Sequence, residues 1–568
     1  MKQKTKLLLA GAVFACWSTG SFAQDNTGGQ PFSFEQELSD NATSTVSMPY
    51  FDFAPLIAQS EKRVKQGTYE LTDHIFDVNY TLSNSGTWTT FLNGDRLWKL
   101  RISSPGAKKM SVYYQNFYMP EGARLFVYND SRTEELGAFT SKNNGEAREN
   151  GGVFSTDHLS GDAQIIEYYE PKTVRGQSSF SIFRVAHQFK DVLINESEPC
   201  QFDVVCPDGA NWQNQIKGIV RVYVVIGTSA GYCSGTLINN TAGDCRKLFL
   251  TAMHCCLDET TGVETTAYNQ WVLYFEYQKA ACASGSASTA KLKTGVSKLA
   301  GANDGGGNTG SDFLLIEMTP TTFPTGVVPF YNGWSNVNTA GMGGVGIHHP
   351  MGDCKKISTY NTTPTSQSWG GTTANTHWEL IWQSGHGSTE PGSSGSPLFN
   401  AAGLVIGHLT GGGSCCVVNG CPAGSSGTGP TLADDYGKVA FDWTSDGTTS
   451  AVQLKPWLDP KNTGVSSLAG ILSCTSAAVN EHSLESKATV YPNPGSGLFH
   501  VSVELERADD IAIRVLNIVG QEVLVAKHYT NALGGLYEVN LENQAGGTYF
   551  IEIKTKESRV IRKINLIR

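Results

Sequence analysis

Three short segments of this 568-residue chain carry groups that could act together on an acyl bond. The run Thr389-Glu390-Pro391-Gly392-Ser393-Ser394-Gly395-Ser396-Pro397-Leu398-Phe399 reads as a tight, glycine-flanked turn that presents one serine before an apolar strand. Upstream, Leu248-Phe249-Leu250-Thr251-Ala252-Met253-His254-Cys255 offers an imidazole, and Ser311-Asp312-Phe313-Leu314-Leu315-Ile316 offers a carboxylate. A serine hydroxyl is a poor nucleophile at neutral pH. An adjacent imidazole can take its proton, and a buried carboxylate can hold that imidazole in the useful tautomer. We assign Ser394 as nucleophile, His254 as base and Asp312 as the orienting acid. The N–H groups of Gly392 and Ser394 would form the oxyanion hole, with glycine permitting the turn that aims both donors at one point. Each segment has a plainer reading by itself: a chance glycine–serine run, a core histidine, a cap at a strand start. Their conjunction points to serine peptidase chemistry, which requires no cofactor.

These groups need several domains to carry them, because the chain exceeds what one core usually serves. The net charge of -10 and the absence of a basic stripe argue against nucleic acid as a partner. Residues 1–23 begin with Lys2, Lys4 and Lys6, continue through an apolar stretch and end at Ser21-Phe22-Ala23, which is the pattern of a secretory signal peptide. Of thirteen cysteines, Cys16 falls in that segment, and the even remainder in an exported chain favours disulfides over metal. No metal site is expected, since Cys255-Cys256 and Cys415-Cys416 lack the spacing of a structural zinc site.

The pattern along the chain is all-β. Residues 24–190 are expected to form a propeptide, with a short helix within 50–67 and a β-sandwich from about 68, where strands such as 97–102 and 111–114 alternate between proline–glycine turns. This region has no cysteine, whereas eleven lie from Cys200 to Cys421. The peptidase domain is placed at 191–465, with strands at 220–226, 235–238, 248–252, 271–277 and 313–317 and a helix over Ala451–Leu458. A linker is expected at 466–486. Residues 487–568 read as a separate small β-sandwich, its strands at 500–505, 511–516, 536–541, 548–553 and 560–566 divided by Asp509-Asp510, Gly520, Gly534-Gly535 and Gly546-Gly547.

The order His254, Asp312, Ser394 is that of the chymotrypsin-like double β-barrel. Thr251-Ala252-Met253-His254-Cys255, Ser311-Asp312-Phe313, Ile347-His348-His349-Pro350, Trp369-Gly370-Gly371, Thr389–Pro397 and Asp434-Asp435-Tyr436-Gly437 together resemble the bacterial lysyl endopeptidases over about Cys200 to Pro460. The resemblance implies disulfides Cys200–Cys416, Cys206–Cys282 and Cys233–Cys255, and leaves Cys245, Cys256, Cys354, Cys415, Cys421 and Cys474 unassigned. It implies that Asp434 lies at the base of the specificity pocket and binds a lysine ammonium, with Asp435 the rival, and that Trp369 lies near the pocket. Thr410 stands where the family has a histidine, so cleavage after arginine or mixed basic specificity stays open. Ser393 occupies the place where vertebrate-type zymogens carry an aspartate that pairs with a freed amine, so activation is expected by loss of residues 24–190, with Lys190 a fitting site of self-cleavage.

The C-terminal unit, with Tyr491-Pro492-Asn493-Pro494, Val519-Gly520-Gln521, Gly547-Thr548-Tyr549-Phe550-Ile551 and Lys563-Ile564, resembles the type A sorting domains of type IX secretion. An adhesive or carbohydrate-binding sandwich is the alternative. The whole is expected to be a secreted or surface-attached monomer that meets peptide substrates with lysine at the cut and the type IX machinery. A catalytically inactive adhesin on the same fold is the reading from another class.

Overall fold

The computed structural model describes residues 26–36, 38, 43–65, 68–191, 197–258, 260–288, 291–302, 304–371, 373–416, 432–472, 488–555 and 559–568. The signal segment, Cys421 and Cys474 lie outside them. The chain divides into two compact units between Ser473 and Cys474.

In the first unit, the N-terminal residues build the expected sandwich. One sheet orders Ser44–Ser47, Arg96–Ser103, Ala163–Glu170, Arg124–Asn129 and Glu135–Phe139; the other contains Leu71–Thr81, Ser179–Gln188 and Lys109–Tyr118. Alternating strand residues send Trp98, Leu100, Val112, Tyr114, Leu125 and Tyr168 into one core between them. The expected helix forms over Ala54–Lys65.

The sandwich does not stop at the composition boundary. Strand Leu71–Thr81 pairs antiparallel with Ser229–Leu237, in register Ser229↔His74, Ala230↔Asp73 and Gly231↔Leu71, so one sheet runs from the sandwich into the next barrel. Buried side chains fasten the same junction: Lys293 Nζ lies 3.0 Å from Glu146, and Tyr274 donates to Asp157 at 2.9 Å.

The first barrel is a ladder in the order Lys291–Thr294, Val272–Phe275, Ile219–Ile226, Ser229–Leu237, Leu248–Ala252, Phe313–Met318 and Val296–Gly301. Its two outer strands are consecutive in sequence, joined through Gly295 at φ 102°, which curls the sheet back on itself. The second ladder runs Phe202–Asp203, Lys356–Tyr360, Gly344–His348, Pro397–Asn400, Val405–Gly412, Asp434–Lys438, His377–Leu380 and Thr365–Gln367. Here too the wrap is short, because Thr365 follows Tyr360 closely. Leu250, Phe313 and Leu315 from the first barrel meet Val345, Ile347, Phe399 and Val405 from the second in one buried cluster.

Three expectations need correction. The helix over Ala451–Leu458 is a 3-10 turn, Ser450–Val452, followed by a short helix, Lys455–Leu458; Pro456 lacks an N–H and starts a helix rather than continuing one. The linker begins later than 466, since Ser467–Leu468 pairs with Trp334–Ser335. In the C-terminal unit, the expected strands 500–505 and 511–516 are one long strand, Leu498–Asn517, against Glu522–Asn540. Asp509 marks a register shift there rather than a turn, and glycines at 534 and 535 bend the partner with φ 104° and 145°. That unit has its own core of Phe499, Val501, Ile513, Val515, Ile551 and Ile564.

Candidate active site

Strands Leu248–Ala252 and Phe313–Met318 run antiparallel with Ala252 opposite Phe313. The residues just beyond one end and just before the other therefore emerge together, and these include His254 and Asp312. His254 Nδ1 lies 2.6 Å from Asp312 Oδ2, and the His254 N–H donates to Asp312 Oδ1 at 2.8 Å. A carboxylate only accepts, so Nδ1 carries the proton and Nε2 is left as the basic nitrogen. Asp312 is fully buried, with φ 69°, a left-handed conformation that a non-glycine residue adopts only under constraint.

The constraint comes largely from Asp304, a residue that the sequence reading missed. Its Oδ2 accepts the Asp312 N–H at 2.8 Å, and its Oδ1 accepts the N–H groups of Gly306 and Gly307 at 3.0 and 3.1 Å. Burial, then the nearby Asp312 charge, raises its pKa. The signal was present in the sequence as an aspartate before three glycines, whose bare N–H groups suit a carboxylate. From the second barrel, Asp442 bonds Ser311, the neighbour of Asp312, and is itself 2.9 Å from His408 Nε2.

The turn that carries Ser394 is pressed against strand Leu248–Ala252, which leads into His254. A Cβ on Gly395, at φ 78°, would lie 2.1 Å from Thr251 Oγ1 and 2.7 Å from Ala252 N, so only glycine fits this approach. Ser234 N donates to the Ser394 carbonyl at 2.8 Å and Ser234 Oγ to the Gly392 carbonyl at 2.9 Å. Gly392 takes φ 94°. With both carbonyls turned toward Ser234, the N–H groups of Gly392 and Ser394 have no protein acceptor among the described residues, as donors awaiting an oxyanion would. Disulfide Cys233–Cys255 ties the two segments on which the turn rests.

Asp434 and Asp435 are adjacent on strand Asp434–Lys438 and point to opposite faces. Asp434 is fully buried beneath the start of the nucleophile segment, its Oδ2 accepting from Trp382 Nε1 at 2.6 Å, Thr389 Oγ1 at 2.7 Å and Ser414 Oγ at 2.6 Å, and its Oδ1 from Ser414 N at 3.1 Å. Burial raises its pKa and these donors oppose the rise. Asp435 faces Glu379 across the ladder, and burial with that like charge pushes it to about 7. Only Asp434 shares its surroundings with the nucleophile segment.

Trp369 and Thr410 lie together, since a Cβ on Gly307 would meet Trp369 Cδ1 at 3.0 Å, Thr410 Cγ2 at 3.2 Å and Asp312 Cβ at 3.4 Å. An imidazole is present here although Thr410 occupies the expected position. His377 comes from the strand beyond Asp434–Lys438, its Nε2 2.9 Å from Thr410 Oγ1 and its ring 6.2 Å from that of Trp369. Burial lowers its pKa to about 3, so it is neutral.

Disulfides join Cys200–Cys416, Cys206–Cys282 and Cys233–Cys255. Cys245 and Cys415 are also disulfide-bonded, while Cys256 and Cys354 are buried free thiols. Lys190 pairs with Glu70 on the sandwich side of the junction.

Against known proteins, a lysyl endopeptidase of Pseudomonas aeruginosa is 32% identical over 277 residues, covering 45% of this chain and 56% of that protein, so the chain spans about half the length of this curated relative. Among solved structures, the protease Anisep from Arthrobacter nicotinovorans is 18% identical with a TM-score of 0.28, covering 40% of this chain and 91% of that one. A Glu endopeptidase is 15% identical with a TM-score of 0.24, covering 44% and 93%. Residues 194–425 match the family described as lysyl endopeptidase, C-terminal domain, and residues 489–567 match the secretion system C-terminal sorting domain, so the chain joins a segment similar to the one to a segment similar to the other.

Proposed function

We propose that this chain is the precursor of a secreted serine endopeptidase that cleaves after lysine. The observation that carries the reading is the meeting of the His254–Asp312 pair with a glycine turn that carries Ser394 and two unoccupied N–H donors. His254 Nε2 takes the Ser394 proton as Oγ attacks the carbonyl carbon. The Nδ1–H bond to Asp312 stabilises the imidazolium that forms, and the N–H groups of Gly392 and Ser394 bind the oxyanion. The imidazolium then protonates the leaving amine, and water repeats the cycle on the acyl-enzyme.

Lysine specificity is supported by the chemistry around Asp434. Ser414 and Thr389 each spend their hydroxyl proton on the carboxylate, so even with Ser414 Oγ accepting the Thr389 N–H at 3.0 Å, each oxygen keeps an acceptor site for an ammonium. A compact point charge fits three converging oxygens better than a planar guanidinium does. Arginine or mixed specificity is the second reading, favoured by Thr410 in place of a histidine. Digestion of a peptide library, reading the residue before each cut, tests both. Lysine there supports the first, arginine at equal rate the second, and the absence of any cleavage or of phosphonate labelling at Ser394 would leave the inactive adhesin.

We assign residues 24–190 the role of a propeptide. Helix side chains Gln59, Lys62 and Arg63 share a cavity of about 690 Å³ with His254, Gly306 and Asn308, which supports their restricting access to the site in the precursor. Lys190 suits self-cleavage by such an enzyme, and a Ser394→Ala chain that still matured at Lys190 would exclude it. The resemblance of the C-terminal unit to sorting domains supports export by type IX secretion to the medium or the cell surface; normal export of a chain lacking residues 487–568 would refute that role.

A further inference from the structure

We infer that His348 is a positioning residue for the nucleophile turn, tying Ser393 back to the segment that leads into it, so that the oxyanion donors are set without a freed N-terminal amine. The inference rests on the peptidase reading above. His348 ends the strand Gly344–His348 and is fully buried behind the turn. Its Nδ1 lies 2.7 Å from Ser393 Oγ and its Nε2 3.1 Å from Ser358 Oγ. Ser358 spends its single hydroxyl proton on the Ser388 carbonyl at 2.8 Å, so it must accept from the imidazole. His348 therefore carries its proton on Nε2, and Nδ1 accepts the hydroxyl proton of Ser393. Ser393 Oγ in turn accepts the Glu390 N–H at 3.2 Å.

Every donor and acceptor in this chain has one consistent role. Burial supports the assignment, since it lowers the His348 pKa to about 3 and keeps the ring neutral, with one donor and one acceptor nitrogen. The relay closes a loop around residues 388–393, and the peptide that follows Ser393 carries the Ser394 N–H. The other end of the turn is held from the same strand end. His349 N donates to Ser234 Oγ at 2.9 Å, Ser234 Oγ donates to the Gly392 carbonyl at 2.9 Å, and Met351 N donates to the Pro391 carbonyl at 2.6 Å. In a zymogen with aspartate before the nucleophile, a new amine must arrive to fix this turn. Here a side chain already in the barrel does so.

The test uses the mature enzyme with His348→Leu, His348→Gln, Ser393→Ala and the double variant His348→Leu/Ser393→Ala. It measures kcat and KM on a lysyl peptide, the rate of Ser394 labelling by a lysyl phosphonate, and the melting temperature. His348→Leu should lower kcat and labelling about 10²-fold, the scale of a displaced oxyanion donor, with KM changed less than about threefold. Ser393→Ala should cost about the same, and the double variant no more than either, because both cut one relay. His348→Gln, whose amide both donates and accepts, should recover about tenfold of the loss. Full kcat in His348→Leu and Ser393→Ala, losses that multiply, or a glutamine variant no better than leucine would overturn the role. If His348→Leu does not fold, Ser393→Ala and His348→Gln decide. Wild-type enzyme that neither cleaves nor is labelled would overturn the peptidase reading, and this role with it.

Discussion

In the first barrel, His254 and Asp312 take their places from a strand ladder, and in the second Asp434 does the same, whereas the turn that carries Ser394 relies more on hydroxyl and imidazole side chains. Pairing Ala252 with Phe313 is enough to bring the base and its carboxylate to one end of two strands, and Asp304 then sets the final φ at Asp312. The turn that carries Ser394 lies between strands and is tied to one of them by the Gly395 N–H to the Leu409 carbonyl at 2.8 Å and the Leu409 N–H to the Ser396 carbonyl at 2.9 Å. It is shaped by Ser234 reaching across from the first barrel and by a hydrogen-bond relay inside the second. A site built on a ladder inherits the cooperativity of the sheet. A site built on side chains is adjustable, and each of its supports can be removed singly.

Changes at each half measure that difference, beginning with the largest. Ser394→Ala should lower kcat by about 10⁶-fold, and adding Asp312→Asn should cost little more, because the groups act as one unit across the two barrels. Losses that multiply would mean that the halves work independently. Asp312→Asn alone is expected to cost about 10⁴-fold in kcat through the wrong imidazole tautomer, with unchanged binding of lysyl inhibitors; weaker inhibitor binding would show that the first barrel also shapes the pocket. On the second barrel, Asp434→Asn should lower kcat/KM for lysyl peptides by about 10³-fold and leave Ser394 open to labelling by a small uncharged phosphonate, whereas Asp435→Asn should change either by less than about threefold. Equal effects at the two positions would undo the assignment of faces.

The smallest effect concerns the annex that only the first barrel has. His187 in the sandwich is held by burial at a pKa of about 4, and burial also lowers that of His74 on the strand that joins the barrel. Unfolded histidine titrates near about 6.5. The folded state thus binds fewer protons, the stabilisation is present above pH 6.5, and it is lost as pH falls through the folded value. Protection against hydrogen exchange in the precursor, corrected for the intrinsic exchange rate, should fall between pH 6.5 and 4 in strands Leu71–Thr81 and Ser229–Leu237, and also in Asp434–Lys438, whose neighbour His377 is held by burial at a pKa of about 3. Unchanged protection in Leu71–Thr81 over that range would show that His187 and His74 do not carry the acid sensitivity of the sandwich.

Much of the fold was legible because a half-buried strand writes itself as alternation, and the peptidase strands at 219–226, 248–252 and 313–318 lie where alternating or apolar runs end in glycine or polar turns. The short helix near the end of the peptidase region was less so, since a proline reads equally as a start or a stop. The C-terminal strands were split at Asp509-Asp510 because a bulge and a turn use the same residues, and only pairing with the opposite strand distinguishes them.

By itself the sequence determined which groups could do the chemistry. A nucleophile turn needs glycine at fixed offsets, a strand pair delivers His254 and Asp312 to one edge, and most cysteines of an exported chain pair, Cys256 and Cys354 excepted, all of which are local or one-partner constraints. Only the tertiary structure decided which aspartate of 434 and 435 faces the nucleophile segment, that Asp304 braces Asp312, that His377 brings an imidazole to Thr410, and that the sandwich shares a sheet with the first barrel. Apart from Asp304, which precedes Asp312 by eight residues, those contacts join residues far apart in the chain, and their energies come from burial and from hydrogen-bond partners that no local pattern specifies.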